Sequence, residues 1–277
     1  MVKTLAAIAT PFRADGEIDL DAFEAHLRWL EESGLDGLFV GGTTGEGVLL
    51  ESDEIEALTQ RAASAAGSLR VIAQVGRPST RATVRLVERA LAAGAHGVAA
   101  YVPWFYPITQ VQVRAHFLAV LEAAGDAPAF LYNIPPRTVN DLEPALAGEL
   151  ARAGFAGMKD STGDLGRHQA YLEAVGSDTP FEVYTGTEPL MLASVRAGAT
   201  GSINALSNFR PELFVALRDA LEAGDEAAAG RAQDEIAQLK EYVRAEESTV
   251  AAVKRRVRDR LADRGVDYPT GPRPPFA

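Results

Sequence analysis

The sequence predicts a closed barrel of eight parallel strands, each followed by a helix. Three observations lead there. Short apolar runs recur roughly every 20 to 34 residues, about the length of one strand plus one helix. The runs are continuous rather than alternating, as in strands covered on both faces. Each is followed by a helical pattern with its own start and stop signals. In order the runs are Thr4–Phe12, Gly37–Gly41, Val71–Gly76, Gly97–Pro103, Ala129–Ile134, Phe155–Lys159, Phe181–Gly186 and Gly201–Ala205. An open doubly wound sheet is the rival. It usually has fewer strands and a glycine-rich phosphate loop after the first, where this chain has Thr10-Pro11-Phe12.

The helices follow from periodicity and caps. In Asp19–Ser33, Leu20, Phe23, Leu27 and Leu30 share one face. Asp19 and Ser52 are predicted N-caps, and Thr109 with Gln112 forms a capping box. Pro189 and Pro211 suit first turns. Gly34, Gly67, Gly94, Gly125, Gly154, Gly176 and Gly198 each follow a helical run as stop signals. After Gly224 the rhythm changes. Asp225–Glu246 and Thr249–Arg264 read as two further helices, and Tyr268–Ala277 as a proline-rich, extended tail. The expected organisation is a barrel over residues 1–224, with residues 225–277 packed on it or on a neighbouring subunit.

Composition narrows the function. The chain has 277 residues, of which 47% are hydrophobic, enough for a large core. It has no cysteine, which excludes disulfides, iron–sulfur clusters and thiolate metal sites. A net charge of −11 argues against a nucleic-acid partner and for small molecules. The run Lys254-Arg255-Arg256 with Arg258 and Arg260 is accordingly read as a solvated or subunit-facing helix surface. His26, His96, His116 and His168 are scattered, with no ligand spacing, so no metal is expected. No Gly-x-Ser-x-Gly elbow occurs. No apolar run is long enough to span a bilayer and no leader pattern opens the chain, so a cytoplasmic location without membrane partners is expected.

Barrel chemistry collects at the C-terminal ends of strands. The positions to inspect are Thr10, Gly42–Glu46, Tyr101–Tyr106, Tyr132–Arg137, Lys159–Thr162, Gly186 and Ile203–Asn204. Lys159 ends an apolar run. A dehydrated amine there favours its neutral form, which attacks ketones to give a Schiff base. The competing reading is a lysine that snorkels from the strand end and pairs with Asp160. Tyr132 is either a proton shuttle or a core tyrosine with a satisfied hydroxyl. Arg137, in a loop held by Pro135 and Pro136, is either a fork for a carboxylate or a solvated side chain. Gly41–Gly47, with Thr43 and Thr44, is either an anion nest or simply a tight turn.

Together these loops resemble the dihydrodipicolinate synthase / N-acetylneuraminate lyase family of class I, pyruvate-dependent aldolases. The resemblance is carried by Gly42-Thr43-Thr44-Gly45-Glu46, Tyr132-Asn133 with Pro135, Gly157-Met158-Lys159-Asp160, and Gly186, and spans about Leu5 to Pro275. It implies a homo-oligomer, tetramer or dimer, that needs no metal or organic cofactor. It implies that Lys159 forms an imine with pyruvate or another 2-oxo acid and that Tyr132 moves protons. Thr43 and Thr44 would bind the carboxylate, with Thr44 also hydroxyl-linked to Tyr132. Gly186 and Ile203 would border the imine. Arg137 matches the arginine of the synthases, but Phe105 stands where they carry a second relay tyrosine, unless Tyr106 turns inward. Trp104–Pro107 resembles the sugar-acid aldolases of the family, while Ser207-Asn208 with Pro211-Glu212, and Tyr268-Pro269 with Arg273-Pro274-Pro275, resemble archaeal 2-keto-3-deoxygluconate aldolases, which usually lack an arginine at the position of Arg137. The preferred expectation is therefore a lyase for a 2-keto-3-deoxy sugar acid. The alternatives are condensation of pyruvate with aspartate semialdehyde, a keto-deoxy acid dehydratase, and a non-catalytic 2-oxo acid sensor. Of 27 basic residues only Lys3, Lys159, Lys240 and Lys254 are lysines. Arginine is expected to serve equally at Lys240 and Lys254, but not at Lys159, because a guanidinium stays protonated.

Overall fold

Strands buried on both faces need a cover on each, and a closed barrel supplies both. In the computed structural model, which describes residues 1–246 and 248–276, eight parallel strands close into one. They are β1 (Lys3–Ala6), β2 (Gly37–Val40), β3 (Arg70–Gln74), β4 (Gly97–Tyr101), β5 (Ala129–Asn133), β6 (Gly157–Asp160), β7 (Glu182–Thr185) and β8 (Gly201–Asn204). Each pairs with its successor, and β8 pairs back onto β1. Side chains alternate between two layers. Leu5, Phe39, Ile72, Phe130 and Ile203 fill the interior. Leu38, Val71, Val98, Leu131 and Met158 pack outward against the helices.

One end of the barrel is shut. Glu182, first residue of β7, pairs with Lys3 of β1 and with Arg70 of β3 at 2.6 Å. The Tyr184 hydroxyl donates to the same carboxylate at 3.1 Å, and Arg70 lies 4.9 Å from the Phe130 ring centroid. All three charges sit at strand starts, so the interior is accessible from the opposite end.

Most caps form as expected. Asp19 accepts from the Ala22 amide at 3.0 Å, Thr109 and Gln112 make their capping box, and Pro211 opens the helix Pro211–Ala223. Ser52 is a correction. It is the first helical residue, and Glu51 is the cap, in a capping box with Glu54. A carboxylate at a helix N-terminus gains from the helix dipole as well as from the amide.

The C-terminal helices Glu226–Arg244 and Thr249–Leu261 share a core with the barrel's last helix. Leu217 and Phe214 meet Ile236, Val253, Val257 and Leu261 there. The expected solvated basic face also needs correcting at its first residue. Lys254 is fully buried and pairs with Glu46 at 2.5 Å. Among the described residues no helix is long and apolar enough to cross a membrane.

Burial lowers His26, His116 and His168 from 6.5 to about 4. Each binds a proton more readily when unfolded. Its share of stability is present above pH 6.5 and is lost as pH falls through about 4. Asp160 runs the other way: burial raises it from 3.8 to about 6, so its share is lost as pH rises through 6. In His26→Gln, urea unfolding between pH 4 and 6.5 should show a dependence on pH shallower by about 1.4 kcal/mol per pH unit. The glutamine amide can still donate to the Asn208 carbonyl, which His26 Nε2 reaches at 2.8 Å. An unchanged slope would remove His26 from the acid response.

Candidate active site

Strand register brings the chemistry to one level. Tyr101 of β4 pairs with Tyr132 of β5, Tyr132 with Lys159 of β6, and Lys159 with Tyr184 of β7. With a period of two, all four side chains point inward. A cavity of about 1170 Å³ opens above them at the strands' C-terminal ends, and Lys159, Tyr132, Tyr101, Thr43, Thr44, Gly186, Ile203 and Arg137 all line it.

Lys159 is only 5% exposed. Its Nζ lies 4.4 Å from the Tyr132 ring centroid and 4.7 Å from that of Phe39. The pairing with Asp160 does not occur. Neighbours on a strand point to opposite faces, and Asp160 faces outward, accepting from the Thr162 hydroxyl at 2.7 Å with His168 Nδ1 at 4.0 Å. Gly186 leaves room for the lysine: a Cβ there would lie 3.0 Å from Lys159 Cε and 2.1 Å from Ser161 Oγ.

One hydroxyl joins two phenols. Thr43 Oγ1 is 3.2 Å from the Tyr101 hydroxyl and 3.3 Å from that of Tyr132. The two rings stack at 4.5 Å between centroids. The expected link from Thr44 is therefore corrected: Thr43 makes it, while Thr44 lines the cavity. Consecutive residues in so tight a turn diverge, so only one threonine can reach the phenols. Burial, then proximity to Tyr132, raises Tyr101 above the ordinary phenol range, so it keeps its proton at neutral pH.

Tyr101 is the residue that sequence reasoning passed over. It lies among the strand-end positions, but in the sequence the aromatic run Trp104–Tyr106 after it carries the stronger signal. Phe105 and Tyr106 are 73% and 71% exposed and stack edge to face, so neither turns inward within the chain. Tyr101 is last on β4, and its alternation is the signal that places it inside. Arg137 sits exposed on the one-turn helix Pro135–Thr138 at the cavity wall, with no ion-pair partner among the described residues. Lys240 was also underestimated. It reaches the cavity rim and pairs with the buried Glu188 at 2.9 Å, and Glu188 in turn accepts from the Ala205 amide at 3.1 Å. Among the described residues no cluster of histidine and acidic side chains suits a metal ion.

An enclosed amine beside a hydroxyl-linked pair of phenols, at the open end of an eight-stranded barrel, suits imine chemistry with proton transfer. Barrels of this kind form a class of pyruvate-dependent aldolases and lyases. The model of the dihydrodipicolinate synthetase family matches residues 1–277, and the chain belongs to that family. A 4-hydroxy-tetrahydrodipicolinate synthase of Nitrosospira multiformis is 37% identical over 238 residues, 85% of this chain and 78% of the relative. An N-acetylneuraminate lyase of Rhizobium meliloti is 34% identical over 229 residues, 82% of this chain and 75% of the relative. Among solved structures, YagE of E. coli K12 in complex with pyruvate superposes with a TM-score of 0.93 at 27% identity, covering 100% of this chain and 93% of that one. KD(P)GA from T. tenax gives 0.88 at 31% identity, covering 99% and 92%. The members named among these relatives are carbon–carbon lyases, and this chain is an enzyme of that class.

If the Thr43-bridged phenols conduct protons, Tyr101→Phe should slow exchange of the pyruvate methyl protons into deuterated water by about 100-fold. Proton NMR reads this directly. Exchange at the wild-type rate would leave Tyr101 a packing residue.

Proposed function

We propose that the chain is a Schiff-base aldolase acting on a 2-keto-3-deoxy sugar acid, which it cleaves to pyruvate and an aldehyde or forms from them. The observation that carries this is Lys159 Nζ, enclosed between Phe39 and Tyr132 beneath the Thr43 bridge. The amine attacks the ketone carbon of the 2-oxo acid, and water leaves as the imine forms. The protonated imine draws electrons from the adjacent carbon–carbon bond. That bond breaks, the aldehyde departs, and an enamine remains. Tyr132, having given its phenol proton to the departing water as the imine formed, accepts one from the substrate hydroxyl as the aldehyde leaves. Passing that proton to the enamine carbon gives the pyruvate imine, and hydrolysis by water returns a proton to Tyr132 and frees Lys159. The Thr43-Thr44 turn receives the carboxylate. No metal or organic cofactor takes part.

The shape of the cavity supports a substrate longer than pyruvate. Beyond the lysine its walls carry Ser161, Thr187 and Thr249, which are partners for a chain of hydroxyls. A second reading, condensation of pyruvate with aspartate semialdehyde, is favoured by Arg137. Its guanidinium on the wall, with no ion-pair partner among the described residues, suits a carboxylate on the second substrate. Several relatives bear that synthase's name.

Borohydride reduction with pyruvate, followed by peptide mapping, should label Lys159, and Lys159→Ala should remove the label. An unlabelled Lys159 would sink the imine mechanism. Pyruvate release from keto-deoxygluconate, keto-deoxygalactonate and N-acetylneuraminate, run beside pyruvate plus aspartate semialdehyde, separates the two readings. Arg137→Ala should cost about 10-fold or more in kcat/KM if a carboxylate is its partner, and little if hydroxyls are.

The proposal includes a homo-oligomer. Phe105, Tyr106, Val111 and Val139 are each at least 70% exposed, and Asn140 ties their segments together by donating to the Pro103 and Tyr106 carbonyls. Phe105 is held at φ +83°, a conformation bulky residues rarely adopt. Sedimentation equilibrium should give a dimer or tetramer, and Phe105→Asp should weaken it. A wild-type monomer at micromolar concentration would refute this assembly.

A further inference from the structure

We propose that Lys254, in the C-terminal extension, is a positioning residue for the barrel's active site, acting through Glu46 on the Thr43-Thr44 turn. This rests on the reading that the turn receives the 2-oxo acid carboxylate.

The chain of contacts is short. Glu46 closes the turn at φ +56°, a left-handed conformation that a non-glycine residue adopts only when its surroundings hold it. The Glu46 amide donates to the Thr43 carbonyl at 3.1 Å, and the Gly47 amide to the Gly42 carbonyl at 3.0 Å. There is no slack here: a Cβ on Gly47 would lie 1.6 Å from the Gly41 carbonyl oxygen. A shift of Glu46 therefore carries Thr43 with it, and with Thr43 the oxygen that bridges Tyr101 and Tyr132.

The Glu46 carboxylate is held from the C-terminal extension. Lys254 Nζ lies 2.5 Å from one oxygen, and the Arg273 amide donates to the other at 2.7 Å. Lys254 also donates to the Gly271 carbonyl at 3.1 Å and sits 4.4 Å from the Phe12 ring centroid. The Arg273 guanidinium lies over the same ring at 4.4 Å and grips Glu54 with two bonds of 2.6 Å. The helix Thr249–Leu261 and the tail thus meet on the loop that follows β2.

Stability alone is a poor reason for this pair. An ion pair taken out of water regains little beyond its dehydration cost, and apolar residues of matching volume generally hold a fold as well. What a buried pair supplies instead is a fixed location for each charge. Lys254 is wholly enclosed, so the compact ammonium fits where a guanidinium fork would not.

The test is the pyruvate concentration that half-saturates borohydride trapping of Lys159. Lys254→Met leaves Glu46 buried without its cation. Lys254→Met with Glu46→Gln removes both charges and keeps an acceptor for the Arg273 amide, so it serves where the single variant does not fold. In variants shown to be folded by circular dichroism, half-saturation should rise about tenfold or more, with a smaller change in the trapping rate at saturating pyruvate. A merely structural pair would lower the melting temperature and leave half-saturation within about twofold of wild type, and that result overturns the inference. Failure of the wild-type chain to form any adduct would instead overturn the imine reading on which the inference stands.

Discussion

An amine inside a barrel of apolar and aromatic side chains is the constraint around which this structure is arranged. Taking a lysine out of water costs several kcal/mol, of which contact with the two rings beside Lys159 returns only a part. The position is therefore unfavourable for stability, and the surrounding core must hold it. The core does so through regularity: eight strands in continuous register fix Lys159 level with Tyr132 and Tyr184, so the lysine cannot withdraw without breaking the ladder. Gly186 leaves it space, and Phe39 and Tyr132 confine it.

Around that amine the polar groups form two linked sets. The inner set is Tyr101, Thr43 and Tyr132, joined by a single threonine oxygen. The outer set comes from the C-terminal extension. Lys254 and Lys240 each reach a buried glutamate in a loop at the barrel mouth, Glu46 after β2 and Glu188 after β7. Glu188 then holds the Ala205 amide beyond β8. The extension is thus wired to the loops on both sides of the cavity, more closely than its composition suggested.

Much of this was legible in the sequence. Continuous apolar runs at a regular spacing specify a parallel sheet covered on both sides, and its closure followed from the number of runs. Lys159 and Tyr132 were legible because each ends such a run. Three features were not. Tyr101 and Tyr132 lie 31 residues apart, and only the lateral register shows that their rings stack. Thr43 and Thr44 are adjacent and chemically identical, and the turn's backbone alone decides which one faces the phenols. Lys254 looked solvated because its neighbours Arg255 and Arg258 are charged. Its burial depends on Glu46, 208 residues earlier in the chain. Local pattern reports which face of an element is apolar, but not which charge waits on the opposite surface.

The ionic plug formed by Lys3, Arg70 and Glu182 has a kinetic consequence. With that end of the barrel shut, every reactant passes through the same mouth. On the proposed imine reading the amine lies at the bottom, so the 2-oxo acid bound to it would enter before the aldehyde and leave after it. Synthesis would then be ordered, and an excess of aldehyde would obstruct the entry of the first substrate.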